Sequence, residues 1–161
     1  MVDIGQVREL LGNNDLIVMP FHKSHVDRLS LSQDDLSLFE MMGNADEIFD
    51  GMQASDYAWT VFYRLQPIAA FGFKMLWPGN AEAWLLPGKG SIDNPHILTR
   101  SARRFFDRIG AKLNLRRMQI VVSTERKHAV QWARFLKFEE EGLMKAYGPE
   151  GYDYYMFARI Y

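Results

Sequence analysis

The feature that most limits the fold is a long amphipathic segment between two strand-like segments. After Asn94-Pro95, apolar residues recur three and four positions apart, which is typical of one face of a helix: Leu98, Ala102, Phe105, Phe106, Ile109 and Leu113. Asn94 is expected to cap this helix, and Pro95 fits its first position. Because a crossover helix joins parallel strands, Ala81–Leu86 and Arg117–Ser123 should form a parallel pair.

The remaining patterns add strands and short helices around this unit. The other predicted strands are Leu16–Met19, Tyr57–Tyr63, Ile68–Leu76, Phe138–Tyr147 and Tyr152–Tyr161. Four other helices are predicted. The first is Ser24–Leu31, with Ser24 as its cap, and the second begins at the capping box Ser32–Asp35 and ends at Gly43. The last two are Ala45–Met52 and Lys127–Leu136. We therefore predict an α/β fold: about seven strands in one mixed sheet, helices on both faces, and a single domain spanning residues 1–161.

Charge and composition exclude several classes of function. The 19 basic and 20 acidic side chains give a formal net charge of −1, so bulk charge favours neither nucleic acid nor a membrane surface. Cysteine is absent, which excludes disulfides, zinc–thiolate sites and a cysteine nucleophile. His22 and His25 lie three positions apart, but no acid is in register with them, so no metal site is expected.

The beginning of the chain carries no export or membrane signal. Met1–Gly12 has neither a basic start nor a long apolar stretch. No apolar run approaches the roughly 20 residues of a membrane-spanning helix. We therefore expect a cytoplasmic protein with no membrane partner.

The C-terminal third of the chain contains segments that are typical of one enzyme family: Ile120–Val122, Ala129-Val130, Trp132, Phe138–Gly142, Tyr147 and Gly151–Ala158. Together with the order of elements, these segments resemble the GNAT acyl-CoA N-acetyltransferases. The aromatic-rich, cysteine-free sequence also looks like the GNAT-like proteins of short-tailed phages, some of them internal virion proteins. The resemblance implies direct transfer of acetyl from acetyl-CoA to an amine of a small molecule or protein. It also implies that the fourth and fifth strands splay apart around the cosubstrate.

Carried onto this sequence, the resemblance implies a set of site residues. The cosubstrate would lie along Trp84, Leu85 and Leu86 and on the loop formed by Gly88, Lys89, Gly90 and Ser91, with Arg126 at the family's asparagine position. The Gly-Lys-Gly sequence is equally typical of an ordinary turn after a strand. Glu82 would take the amine proton through water, although a solvated glutamate at a strand end is the alternative.

Four family positions are filled by unexpected residues, one of them Lys137 at the position of the glycine before Phe138. Leu85 stands where the cofactor loop usually has glutamine or arginine, and Arg126 replaces the asparagine. Ala133 replaces the tyrosine that commonly protonates the departing CoA thiolate. Six residues are candidates to replace that acid: Tyr147, Tyr152, Tyr154, Tyr155, His96 and His128. The two histidines lie at predicted helix starts. Among the six we assign Tyr147.

These departures keep a second function open. A GNAT-like fold with weak or no catalysis can serve as a structural, virion or interaction protein, either as a homodimer or within a larger assembly. The helix that follows Asn94 carries the arginines Arg100, Arg103, Arg104 and Arg108, and Arg116 and Arg117 follow it. This cluster could bind the 3′-phosphate of CoA or an acidic partner, or form a solvated helix face. A nucleic-acid partner is not expected.

Overall fold

The computed structural model describes residues 2–161. Met1 belongs to the predicted domain and to the N-terminal segment Met1–Gly12, and it lies outside the described residues. Seven strands of the described chain form one sheet: β1 Leu16–Pro20, β2 Ala58–Tyr63, β3 Gln66–Trp77, β4 Asn80–Pro87, β5 Arg117–Ser123, β6 Glu139–Met144 and β7 Tyr154–Ile160. Their order across the sheet is β1-β2-β3-β4-β5-β7-β6. β4 and β5 are parallel, and every other neighbouring pair is antiparallel. The predicted mixed sheet and its parallel pair are confirmed.

Helices cover both faces of this sheet. Their bounds are α1 Ile4–Leu11, α2 Ser24–Leu29, α3 Gln33–Met42, α4 Ala45–Gln53, α5 Lys89–Asp93, α6 Pro95–Leu113 and α7 Lys127–Phe135. The larger apolar cluster packs α1, α6 and α7 against one face. The smaller cluster packs α2, α3 and α4 against the other. Within residues 2–161, no helix combines the length and the hydropathy that crossing a membrane requires.

Two short helices were not predicted from the sequence. Asp3 and Gln6 form a capping box at the start of α1, whose inner face buries Val7 and Leu10. The predicted loop Gly88–Ser91 instead forms the N-cap and first residues of α5, and the Ser91 hydroxyl donates to the carbonyl of Gly88. This hydroxyl satisfies a backbone acceptor, which stabilises the short helix despite its glycine.

Two capping predictions were wrong. Ser24 is the first residue of α2, whose N-cap is Lys23, and no side chain caps that helix. Asn94 precedes α6 as predicted, but its side-chain amide donates to the carbonyl of Gly90 and accepts no backbone N–H. An amide that is used as a donor leaves the first N–H groups of α6 without a side-chain cap.

The final hairpin differs from the prediction in a way that matters for the site. Tyr147 was predicted to end a strand, but β6 ends at Met144. Ala146 has a φ of 50°, and its N–H donates to Asp153 Oδ1 at 2.8 Å. This turn takes Tyr147 out of the sheet and places it in the connection to β7.

Candidate active site

The parallel strands β4 and β5 pair over only a short stretch. Their pairing runs from Asn80 opposite Arg117 to Glu82 opposite Gln119. β4 then continues to Pro87 and β5 to Ser123, and no ladder pairs join them along this remaining length of the described sheet. The edge of β4 that faces β5 beyond Glu82 is therefore available to another extended chain.

A cavity of about 460 Å³ fills the gap between the two strands. Its walls include Phe73, Phe105 and Leu136 from the larger apolar cluster, and Phe39 and Leu86 from the smaller one. Because those clusters lie on opposite faces of the sheet, the cavity passes through the sheet between β4 and β5. We call the part on the side of α3 and α4 the inner half, and the part beside α6 and α7 the outer half.

Glu82 lies in the wall of this cavity at the point where β4 and β5 separate. Its carboxylate accepts a hydrogen bond from Gln119 Nε2 at 2.7 Å, across the last paired position. Strand alternation places Glu82 on the same face as Trp84 and Leu86, which is the face of the inner half. No Lys, Arg or His of residues 2–161 forms an ion pair with it.

The other carboxylate of the cavity wall is neutralised by an arginine. Arg126 Nη1 donates to Asp35 Oδ1 at 2.5 Å, and Ser32 donates to the second oxygen of Asp35 at 2.6 Å. Asp35 is buried in α3, whereas Arg126 precedes α7, so the pair joins the two elements across the inner half. The sequence indicated Asp35 only as a capping acid, since a partner 91 positions away leaves no local signal.

Two of the four candidate tyrosines line the cavity. Tyr147 is 54% exposed, and no hydrogen bond to its hydroxyl occurs within the described chain. Tyr154 is buried, and its hydroxyl donates to Glu150 Oε1 at 2.8 Å. Burial and this hydrogen bond raise the pKa of Tyr154 to about 12. Tyr152 and Tyr155 lie outside the cavity wall.

The predicted cosubstrate residues divide into two groups. Trp84, Leu85 and Leu86 line the cavity, but the four residues from Gly88 to Ser91 do not. A side chain at Gly88 would place its Cβ 2.5 Å from the carbonyl oxygen of Leu29, and one at Gly90 would lie 2.7 Å from Ile68 Cγ2. Gly88 is therefore explained by its close packing against the end of α2, and Gly90 by its close packing against β3. Lys89 is exposed beside them.

Neither the arginines of α6 nor the two candidate histidines line the cavity. Arg103, Arg104 and Arg108 donate to backbone carbonyls of α7, of the residue after α1 and of α1, respectively. Three of the four guanidinium groups thus join α6 to neighbouring elements, and only Arg100 lacks such a contact in the described chain. His96 and His128 are exposed and lie outside the cavity wall.

Two further residues of the outer half bear on the chemistry. Ser101 of α6 is 1% exposed and lines the cavity, and its hydroxyl has no partner among the described residues. An unsatisfied buried hydroxyl is unusual, and this one belongs to a residue of the cavity wall. Ala133, where the resembled family has its tyrosine, also lines the cavity. Sequence periodicity placed Ser101 within a helix but gave no sign that its hydroxyl would be unpaired.

Comparison with solved structures identifies the fold. A GNAT-family acetyltransferase from Bacillus anthracis superposes with a TM-score of 0.72 at 12% identity, covering 91% of this chain and 95% of its own. The microcin C7 self-immunity acetyltransferase MccE, solved with acetyl-CoA and AMP, gives 0.70 at 12% identity, covering 97% and 95%. RimL, a ribosomal L7/L12 α-N-protein acetyltransferase, gives 0.69 at 18% identity, covering 92% of each chain.

These structures confirm the predicted acetyltransferase fold and give no support to a phage origin. The sequence matches no protein-family model and no curated protein sequence. Among the described residues, no group of three His, Asp or Glu side chains could hold a metal ion.

Proposed function

We propose that this protein transfers an acetyl group from acetyl-CoA to an amine. The observation that carries the proposal is the gap beyond Glu82, which opens into a cavity through the sheet. Acetyl-CoA ends in a narrow amide-containing arm that suits an unpaired strand edge with apolar walls. The similar fold of MccE, solved with acetyl-CoA and AMP, supports this choice of cosubstrate.

The residues of the gap fit the acyl-bearing arm. The backbone of Trp84, Leu85 and Leu86 supplies the unpaired strand edge. Ser101 supplies a buried hydroxyl that lacks a partner, and an amide of the arm would satisfy it. For the phosphate end, Lys89 is exposed next to β4 and remains our candidate. Arg126 is already engaged by Asp35, so we assign it to positioning α3 rather than to the cosubstrate.

Direct transfer needs few groups from the protein because the thioester is already activated. The amine nitrogen attacks the thioester carbon, the new C–N bond forms, and the C–S bond breaks. Glu82 accepts, through water, the proton that the ammonium group must lose before it attacks. The thiolate that leaves takes a proton from Tyr147, whose hydroxyl has no partner in the described chain and whose residue lines the cavity.

A second candidate function follows from Ala133. This residue lines the cavity where the resembled family has an acid for the thiolate, and a methyl group cannot donate a proton. If Tyr147 does not replace that acid, the fold would act as a binding or interaction protein with weak or no turnover. The two candidates differ in whether bound acetyl-CoA is consumed.

Isothermal titration calorimetry with acetyl-CoA, CoA and desulfo-CoA tests the proposal. We expect each to bind with a Kd below about 100 μM, which corresponds to roughly −5.5 kcal/mol. Binding of none of the three would contradict the acetyltransferase function. Binding without release of CoA in the presence of amines would favour the interaction protein.

A further inference from the structure

The walls of the inner half of the cavity are mostly apolar. Leu38, Phe39 and Met42 reach it from α3, Met52 from α4, and Trp84 from β4. The Trp84 ring is held in place because it packs over Gly72, where a Cβ would come within 2.6 Å of the ring, and lies edge-to-face with Phe21 at 5.9 Å. The inner half therefore offers a fixed aromatic surface flanked by adaptable methionine side chains.

The charges of this half are few and almost cancel. Asp35 and Arg126 neutralise each other, and Arg126 is the only Lys or Arg that lines the cavity in the described chain. Glu82 is the one remaining carboxylate of the described wall, and it has no cationic partner there. One carboxylate complements one ammonium group. A polyamine would need several carboxylates in the wall, and an acidic peptide would need cations that are not already paired.

We propose that the acceptor is a monoamine with an apolar, ring-sized body. Its ammonium group lies at Glu82, and its body lies on Trp84 between Leu38, Met42 and Met52. The inference rests on the proposed function, because it assigns the outer half and the strand gap to acetyl-CoA and the inner half to the amine. The acetyl group then passes to the amine at the point where β4 and β5 separate.

An acceptor panel with purified protein tests this proposal. CoA release from acetyl-CoA is measured with phenylethylamine, tryptamine, spermidine and a serine-initiated acidic peptide. We expect kcat/KM for the two aromatic amines to exceed that for spermidine and the peptide by at least about tenfold, a typical discrimination by an apolar pocket. Preference for spermidine or the peptide, equal rates for all four, or no turnover of any of them would overturn the proposal.

Two methionines provide a matched pair of variants. Met42 lines the cavity, whereas its neighbour Met41 does not, and both are at least half exposed, at 50% and 57%. Met42→Glu should lower kcat/KM for phenylethylamine about tenfold or more and raise that for spermidine. Met41→Glu should leave both values at those of the unmodified protein. Equal effects of the two substitutions would contradict the assigned position of the acceptor.

Two controls separate this inference from the function on which it rests. If calorimetry detects no acetyl-CoA binding, the proposed function fails. If acetyl-CoA binds but a polar acceptor is preferred, only the acceptor class is wrong. A higher kcat/KM with octanoyl-CoA than with acetyl-CoA would assign the apolar inner half to the acyl chain, and this result would also overturn the proposal.

Discussion

Among single residues, Glu82 is the one on which the proposed transfer depends most. Glu82→Gln keeps the hydrogen-bonding capacity toward Gln119 but removes the base. We expect kcat with phenylethylamine to fall by roughly 10²–10⁴-fold, which is the usual contribution of a positioned acid or base. The Kd for acetyl-CoA, measured by calorimetry, should stay the same. Unchanged turnover in Glu82→Gln would remove this residue from the mechanism.

Tyr154 gives a prediction about stability at alkaline pH. Burial and the hydrogen bond to Glu150 raise the pKa of Tyr154 to about 12 in the folded protein, above the roughly 10 of an unfolded chain. The folded state therefore holds this proton more tightly, and the resulting stability is complete below about pH 10 and is lost as the pH rises toward 12. Urea unfolding of Tyr154→Phe should show a smaller decline between these pH values than the unmodified protein. An identical decline would contradict the assignment.

At the scale of elements, the Asp35–Arg126 pair joins α3 to the start of α7. Arg126→Gln leaves the buried carboxylate of Asp35 without its cation. The free energy of unfolding should therefore fall by about 1–3 kcal/mol, and the Tm should fall with it. The Lys23–Asp50 pair is a matched control because both of its side chains are about half exposed, at 47% and 54%. Lys23→Gln should change the Tm little. Equal losses in the two variants would show that burial of Asp35 does not matter.

The sequence predicted elements well where the pattern is local and long. The nineteen-residue helix α6 and the strands beside it follow from spacing and composition, and β5 has the predicted bounds. α1 was missed although Asp3 and Gln6 form a local capping box, and α5 was missed because Gly90 and a length of five residues favour a turn. Gly88 and Gly90 were interpreted as part of the cosubstrate loop, although their close contacts are with Leu29 and Ile68, which are distant in sequence.

At the scale of the whole molecule, the central feature is the cavity that joins the two faces of the sheet. The resemblance of the sequence implied the splay of β4 and β5 and assigned Glu82 beside it. It could not reveal the unpaired hydroxyl of Ser101 or the contact between Asp35 and Arg126, because both depend on residues brought together only by folding. The arginines of α6 show the same limit, since three of them bind backbone carbonyls of other elements.

The most direct test of the account is whether a side chain placed in the outer half of this cavity prevents acetyl-CoA from binding. Ala102 and Ala111 lie on the same helix, but Ala102 lines the cavity and Ala111 is exposed. Calorimetry should show that Ala102→Phe weakens acetyl-CoA binding at least about tenfold, roughly 1.4 kcal/mol, while Ala111→Phe binds like the unmodified protein. Circular dichroism establishes that both variants are folded. Unchanged acetyl-CoA affinity in a folded Ala102→Phe protein would contradict the account.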